Sequence, residues 1–182
     1  MNYKIGNILI TRDRISARIV EIAEEIRKDF AKTHTGEELI FAGILKGSVV
    51  FIADLVRAMG HDIDVRMDFM VLSSYGSGTE SSGVVRIIKD LDTYIEGKNV
   101  IIVEDIIDTG LTMSYLLSIL QRRGAASLKV CSLLNKEERR KVPVKIDYCG
   151  FEIPDEFVIG YGLDYSGMWR HLADIHIAEP II

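Results

Sequence analysis

Val100-Ile101-Ile102-Val103-Glu104-Asp105-Ile106-Ile107-Asp108-Thr109-Gly110-Leu111-Thr112 is the stretch on which the fold of this chain turns. Val100 to Val103 is a β-branched apolar run, the composition of a parallel strand buried on both faces. Glu104 and Asp105 follow it at the expected carboxyl end of the strand. Thr109 to Arg123 then reads as a helix, ended by Gly124. Ligands of open α/β sheets bind outside the carboxyl ends of the strands, so these polar groups stand where a site is expected. A helix start rich in hydroxyl residues and glycine offers free N–H groups to a phosphate. Adjacent carboxylates suit a sugar diol or a hydrated Mg²⁺. One turn therefore offers a phosphate cradle beside a diol grip, as a ribose 5-phosphate requires. A simpler reading, with Asp108 as an N-cap and the acids favouring the helix dipole, explains Asp108 alone but not the whole string.

Working outward, strands and helices alternate. Ile5 to Ile10 reads as an edge strand. Thr11 to Lys32 has apolar residues at helical spacing (Ile15, Ile19, Ile22, Ala23, Ile26), with Thr11 as cap. Thr33 to Glu38 is a polar loop, Leu39 to Leu45 a buried strand and Val49 to Met59 an apolar helix stopped by Gly60. Strand patterns follow at Ile63 to Leu72, Val84 to Lys89, Lys98 to Val103 and Ser127 to Leu134. Shorter pieces follow at Tyr148 to Phe151, Phe157 to Tyr161 and Ile175 to Ala178. The alternation predicts an α/β fold in one domain over 1–182, a mostly parallel twisted sheet flanked by helices.

With 182 residues, 48% of them hydrophobic, the chain is long and apolar enough to bury a sizeable core. A net charge of −5 with mixed signs argues against a dedicated nucleic-acid binder. The start MNYKIGNILITRDRI lacks a basic region followed by a long apolar run, so no signal peptide is expected. No apolar stretch is long enough to span a bilayer, and no membrane partner is expected. Cys131 and Cys149 form no C-x-x-C pattern, which points to a reduced, cytoplasmic protein. The four histidines (His34, His61, His171, His176) have no metal-ligand spacing. Neither G-x-x-x-x-G-K-[ST] nor G-x-G-x-x-G occurs, which excludes the P-loop and dinucleotide-binding patterns.

Two further segments follow strands. Lys46-Gly47-Ser48 is a turn whose backbone can approach a ligand closely at Gly47, with Lys46 adding charge. Residues 73–83 are rich in serine and glycine, lack aliphatic side chains and exceed ordinary hairpin length. They read as a lid carrying Ser74 and Tyr75.

The thirteen-residue string resembles the phosphoribosyl-pyrophosphate (PRPP) signature of the type I phosphoribosyltransferases. Gly150-Phe151-Glu152-Ile153-Pro154-Asp155 and Gly160-Tyr161-Gly162-Leu163-Asp164-Tyr165 look like strings of the hypoxanthine-guanine branch. The resemblance runs from Leu39 to about Arg170. It implies a hood built from the terminal segments and Mg²⁺-dependent transfer of a 5-phosphoribosyl group from PRPP to a 6-oxopurine.

Residue by residue, it implies that Glu104 and Asp105 hold the ribose hydroxyls and help place Mg²⁺, and that Asp108 faces the purine imidazole ring as general base. Thr109, Gly110, Leu111 and Thr112 would wrap the 5-phosphate. Lys136 would donate to the 6-oxygen, Phe157 would stack on the purine and the Val158 backbone would read its edge. Asp164 belongs to the purine end and would hold a second Mg²⁺. Arg170, Lys46 and Gly47 would bind pyrophosphate, and the Leu45–Lys46 peptide can be cis in the family. A homodimer or homotetramer is implied.

The chain departs from the pattern at Leu111, where some members carry Lys, at Trp169, where a smaller aromatic is common, and over 170–176. Two alternatives stay open: a PRPP-sensing regulator that binds nucleic acid, with the basic run Lys136 to Lys141 as its only candidate surface, and a transferase preferring xanthine or a pyrimidine.

Overall fold

A computed structural model describes residues 2–33, 38–74 and 85–181. Its main sheet has strands β2 (Leu39–Leu45), β3 (Val65–Ser74), β4 (Val85–Lys89), β5 (Asn99–Ile107), β6 (Ser127–Asn135) and β7 (Tyr148–Glu152). Their order is β4-β3-β2-β5-β6-β7, parallel throughout except for the antiparallel β3–β4 pair at one edge. Helices α1 (Arg12–Thr33) and α2 (Val49–Ala58) pack on one face, and α3 (Leu111–Arg122) on the other.

The unbroken apolar strands explain this double cover. Side chains alternate across a strand, so each must be apolar at every position when both faces are covered. Leu39, Phe41, Ile101, Val103, Cys131 and Leu133 join one core with Ile15, Ile22 and Ile26 of α1 and Phe51 and Leu55 of α2. Their neighbours Ile40, Ala42, Val100, Ile102 and Val130 face the other way, against Met113, Leu116 and Leu120 of α3.

A second sheet forms the expected hood. Strands β1 (Tyr3–Ile10), β8 (Val158–Ile159) and β9 (Ile175–Pro180) pair antiparallel in the order β1-β9-β8. The tail also touches the start of α1, where Arg12 N–H donates to Asp174 Oδ1 at 2.7 Å. Thr11 accepts from Arg14 N–H only at a stretched 3.4 Å, so Asp174 complements the expected Thr11 cap. None of the described helices is long and apolar enough to cross a membrane.

Several boundaries differ from expectation, most consequentially those beside the site. β5 does not stop at Val103 but runs to Ile107, because Glu104, Ile106 and Ile107 stay in register with Ser132, Leu134 and Asn135 of β6. The paired acids are therefore strand residues. α3 starts at Leu111 rather than Thr109, because its N-cap Gly110 has φ +81°, a left-handed conformation outside the helix. β3 begins at Val65 and extends to Ser74, so Ser73 and Ser74 are paired strand residues. Tyr75 and the rest of the expected lid lie outside the described residues.

Candidate functional site

The carboxyl end of β5 is lined by polar groups that the fold leaves uncommitted. Glu104, Asp108, Thr109, Gly110 and Thr112 border one cavity together with apolar residues of β5 and α3. Glu104 Oε2 and Asp108 Oδ1 are enclosed there without a hydrogen-bond partner. Buried acceptors are nearly always hydrogen-bonded, so Glu104 Oε2 and Asp108 Oδ1, the latter faced only by the Arg139 charge at 3.3 Å, mark a place built for a ligand. Asp108 is not the N-cap: the cap residue is Gly110, with no side-chain cap hydrogen bond. Thr109 Oγ1 accepts from Leu111 N–H at 3.4 Å, a weak contact that leaves the first turn of α3 open.

Asp105 lies beneath the Lys46-Gly47 turn, only 8% exposed, and its Oδ1 accepts from the Ile106 N–H at 2.9 Å. Burial pushes its carboxyl up to about 6, against the pull of the backbone N–H and the Arg170 charge. Burial also raises Glu104 well above the usual carboxylate range, helped by the charge of Asp105. Both groups hold protons more tightly folded than unfolded. The neutral form of Asp105 therefore favours the fold fully below about pH 4, and its contribution fades as pH rises through about 6, with Glu104 acting in the same direction. Asp105→Asn is accordingly expected to raise the thermal midpoint of the ligand-free protein at about pH 7.5, with the gain vanishing near pH 4. Calorimetry at the two pH values checks it.

The Leu45–Lys46 peptide is cis. A Cβ on Gly47 would lie 1.5 Å from Asp105 Oδ2, and one on Gly162 would lie 2.1 Å from the Gly47 carbonyl oxygen. Only glycines permit this three-layer contact of Asp105, the Gly47 turn and the 160–170 turn. Arg170 locks the last layer: its Nη1 donates to Gly162 O at 2.5 Å and its Nη2 stands 2.5 Å from Asp164 Oδ1. Asp164 Oδ2 also accepts from Gly167 N–H at 2.6 Å.

At the end of β6, Lys136 is only 5% exposed, with its Nζ 3.8 Å from Asp155 Oδ1. Its N–H donates to Ile107 O at 3.0 Å, which ties it to the end of β5. Phe157 is 42% exposed and packs against Tyr3 and Tyr165, at 5.1 and 6.1 Å between ring centroids. Tyr165 stacks on Trp169 at 5.8 Å, so Trp169 fills the hood beside Arg170. Val158 is buried in β8, paired with Ile177.

The expected residues thus fall into three groups. One lines the cavity at the end of β5, one joins Lys46, Gly47, Asp105, Asp164 and Arg170, and one surrounds Lys136 and Phe157. Ser74 ends β3 and Tyr75 lies outside the described residues. No site role for Arg139, Asp155 or Tyr3 is legible in the sequence, because their contacts join distant segments and leave no local pattern. Gly162 was legible only as part of a familiar string. The basic run Lys136 to Lys141 does not form an open cationic face: Lys136 is buried, Arg140 donates to Asn135 Oδ1, and Arg139 pairs with Asp108 and Asp155.

Comparison with known proteins agrees with this fold. The family described as phosphoribosyl transferase domain matches residues 9–166. The chain is 48% identical over 178 residues to a hypoxanthine-guanine phosphoribosyltransferase of Mycobacterium avium, covering 97% of this chain and 87% of that protein. A crystal structure of a hypoxanthine-guanine phosphoribosyltransferase from Bacillus anthracis, with a HEPES molecule in its active site, superposes with a TM-score of 0.89 at 45% identity. That match covers 96% of this chain and 99% of the other. A Trypanosoma cruzi hypoxanthine phosphoribosyl transferase, studied for the role of its C-terminal region in oligomeric state and enzymatic activity, superposes with a TM-score of 0.92 at 44% identity. It covers 99% of this chain and 95% of that one.

Proposed function

The chain belongs to the phosphoribosyl transferase family, and from that premise we propose that it makes purine nucleotides by salvage. It transfers the 5-phosphoribosyl group of PRPP to hypoxanthine or guanine and releases pyrophosphate. The observation that carries the 6-oxopurine reading is the buried ammonium of Lys136, joined through the backbone to the strand end that bears Asp108.

In this reaction the bond from the anomeric carbon to pyrophosphate breaks, and a bond to a purine ring nitrogen forms. The base loses its N–H proton, and the partly exposed carboxylate of Asp108 takes it. Thr109, Gly110, Leu111 and Thr112 hold the 5-phosphate through hydroxyl and backbone groups, with Leu111 contributing only its N–H. Arg170, Lys46 and Gly47 bind the leaving pyrophosphate, where negative charge grows. Phe157 stacks on the purine through its exposed face, and the Val158 backbone reads the purine edge. Tyr75, after Ser74 at the end of β3, would belong to a lid that keeps water from the sugar cation.

The acids also fit a hard divalent cation, because the donors are all oxygen and Glu104 Oε2 is enclosed without a partner. Among the described residues no group of three or more acidic, histidine or cysteine side chains could hold a metal ion. Glu104, Asp105 and Asp164 would therefore hold Mg²⁺ together with oxygens of PRPP. When bound, Mg²⁺ neutralises charge on the pyrophosphate.

Lys136 sets the base preference. Adenine presents an amino group where a 6-oxopurine presents an acceptor, so two donors would meet and leave a buried charge unpaired. Lys136→Met is expected to lower kcat/KM for hypoxanthine by roughly 10- to 100-fold and to narrow its margin over adenine. A steady-state assay with PRPP, Mg²⁺ and hypoxanthine, guanine, xanthine, adenine or uracil tests the whole reading. Turnover of hypoxanthine or guanine but not adenine supports it, and no turnover with any base sinks it. We further propose one domain over 1–182, a cytoplasmic location and a homodimer or homotetramer, which light scattering on the purified protein reads directly.

A further inference from the structure

Arg139 is a residue to which phosphoribosyl transfer assigns no task. It closes the short 3₁₀ turn Glu137–Arg139 that follows β6. Its Nε lies 3.3 Å from Asp108 Oδ1 and its Nη1 3.5 Å from Asp155 Oδ1. Lys136 Nζ lies 3.8 Å from the same Asp155 oxygen. Asp108, Arg139, Asp155 and Lys136 thus form an unbroken chain of alternating charge. A planar guanidinium can face two carboxylates at once, which a single ammonium does less well.

The contact with Asp108 is of a particular kind. The oxygen facing Arg139 receives no hydrogen bond from the protein. Arg139 therefore holds this enclosed oxygen by charge, while the rest of the Asp108 side chain, 38% exposed, stays available to a ligand donor. The backbone around Arg139 is pinned as well. Arg139 N–H donates to Lys136 O at 3.3 Å, and Lys141 N–H donates to Thr109 O at 2.9 Å. The next residue, Arg140, turns inward to Asn135 Oδ1, and its Cδ would lie 3.0 Å from a Cβ on Gly110. The turn is clamped to the end of β6 and to the loop that follows Asp108.

We propose that Arg139 and Asp155 form a charge bridge that sets the separation between Asp108 and Lys136. Resting on the salvage reading above, this makes Arg139 a positioning residue for the 6-oxopurine. Asp108 meets the imidazole ring and Lys136 meets the 6-oxygen, so the bridge spans the two contacts that define such a base. Apart from Asp108 itself, the residues proposed to hold PRPP are not members of the bridge.

The side chains of Arg139 and Asp155 are 44% and 50% exposed, so each ion pair is individually modest. Loss of the bridge is expected to lower kcat/KM for hypoxanthine by about 5- to 20-fold, leaving the KM for PRPP within about twofold. The test compares the wild type with Arg139→Gln, Arg139→Lys, Asp155→Asn and the Arg139→Gln/Asp155→Asn double variant. Arg139→Lys should recover part of the loss, since an ammonium can still face one carboxylate. The double variant should be no worse than the worse single, because both break one bridge. Thermal midpoints within about 3 °C of wild type would establish that the fold is intact. Wild-type rates in both single variants, additive losses in the double variant, or an equal rise in the KM for PRPP would overturn the bridge. An active wild type with an unaffected Arg139→Gln removes the bridge alone. A wild type without turnover removes the salvage reading and the bridge together.

Discussion

Asp108→Asn is expected to lower kcat with hypoxanthine by about 10²- to 10⁴-fold, the range of a lost general base. The substitution preserves shape and nearly preserves volume, so it isolates the proton-accepting role. Asp108 Oδ1 is enclosed and unpaired by any protein hydrogen bond, with the Arg139 guanidinium 3.3 Å away. An asparagine there keeps an oxygen but loses the charge that attracts a purine N–H proton. It can also present an NH₂ donor to that N–H or to Arg139. Either orientation weakens binding of the transition state more than binding of PRPP. The KM for PRPP should therefore stay within about threefold. A kcat within tenfold of wild type would show that another group, or water, takes the proton.

Gly47→Ala should be comparably severe, but at the other substrate. The new methyl would stand 1.5 Å from Asp105 Oδ2 and 2.4 Å from its Cγ. One of the two must move. The turn cannot retreat outward, because the Gly162 backbone lies against the Gly47 carbonyl and Arg170 ties Gly162 to Asp164. Asp105 must therefore leave its place, breaking its hydrogen bond with Ile106 N–H. Overpacking of this kind costs about 1–3 kcal/mol of stability. The larger effect is functional, since the displaced carboxylate, the 46–47 turn and Arg170 are the proposed contacts to ribose and pyrophosphate. The KM for PRPP is expected to rise by about 100-fold, in line with the cost of a small misplacement at a positioned site. Gly97→Ala is a suitable control. Its φ of +67° makes alanine strained, but no atom lies within 4 Å of the new methyl and Gly97 belongs to none of the site groups. It should lose stability and keep its KM. A Gly47→Ala enzyme with an ordinary KM for PRPP would mean that the turn does not touch the substrate.

The parts of this fold legible in the sequence are those written as uninterrupted apolar runs. β2, α1 and α2 lie within a residue or so of their expected limits, because a doubly covered strand and an amphipathic helix leave unmistakable periods. The errors sit where function interrupts the pattern. Glu104 and Asp105 looked like the end of a strand because charge seldom continues one, yet register with β6 carries β5 through both. Thr109 looked like the start of a helix because hydroxyl residues favour that position, while the left-handed Gly110 delays it. The PRPP-like string was legible because its residues are consecutive. Arg139 beside Asp108, Asp155 beside Lys136 and Tyr3 behind Phe157 were not, because only the folded sheet and hood bring them together. No window of sequence contains those pairs.

The hood also decides how the molecule gives way under load. Tyr3 faces Pro180 and Ile10 faces Ile175, so the first residue of β1 and the last of β9 lie side by side. Tension applied between Tyr3 and Pro180 does not shear this pair. It peels the strands apart one rung at a time, beginning at Tyr3, and each rung carries the whole force alone. The main sheet lies outside that first line of force, and its central strands carry none until β1 and β9 have parted. The ring behind Phe157 goes with the first rung. A pulling trace should therefore show a low-force opening of the hood before the main sheet yields, and a bound purine should delay that first opening.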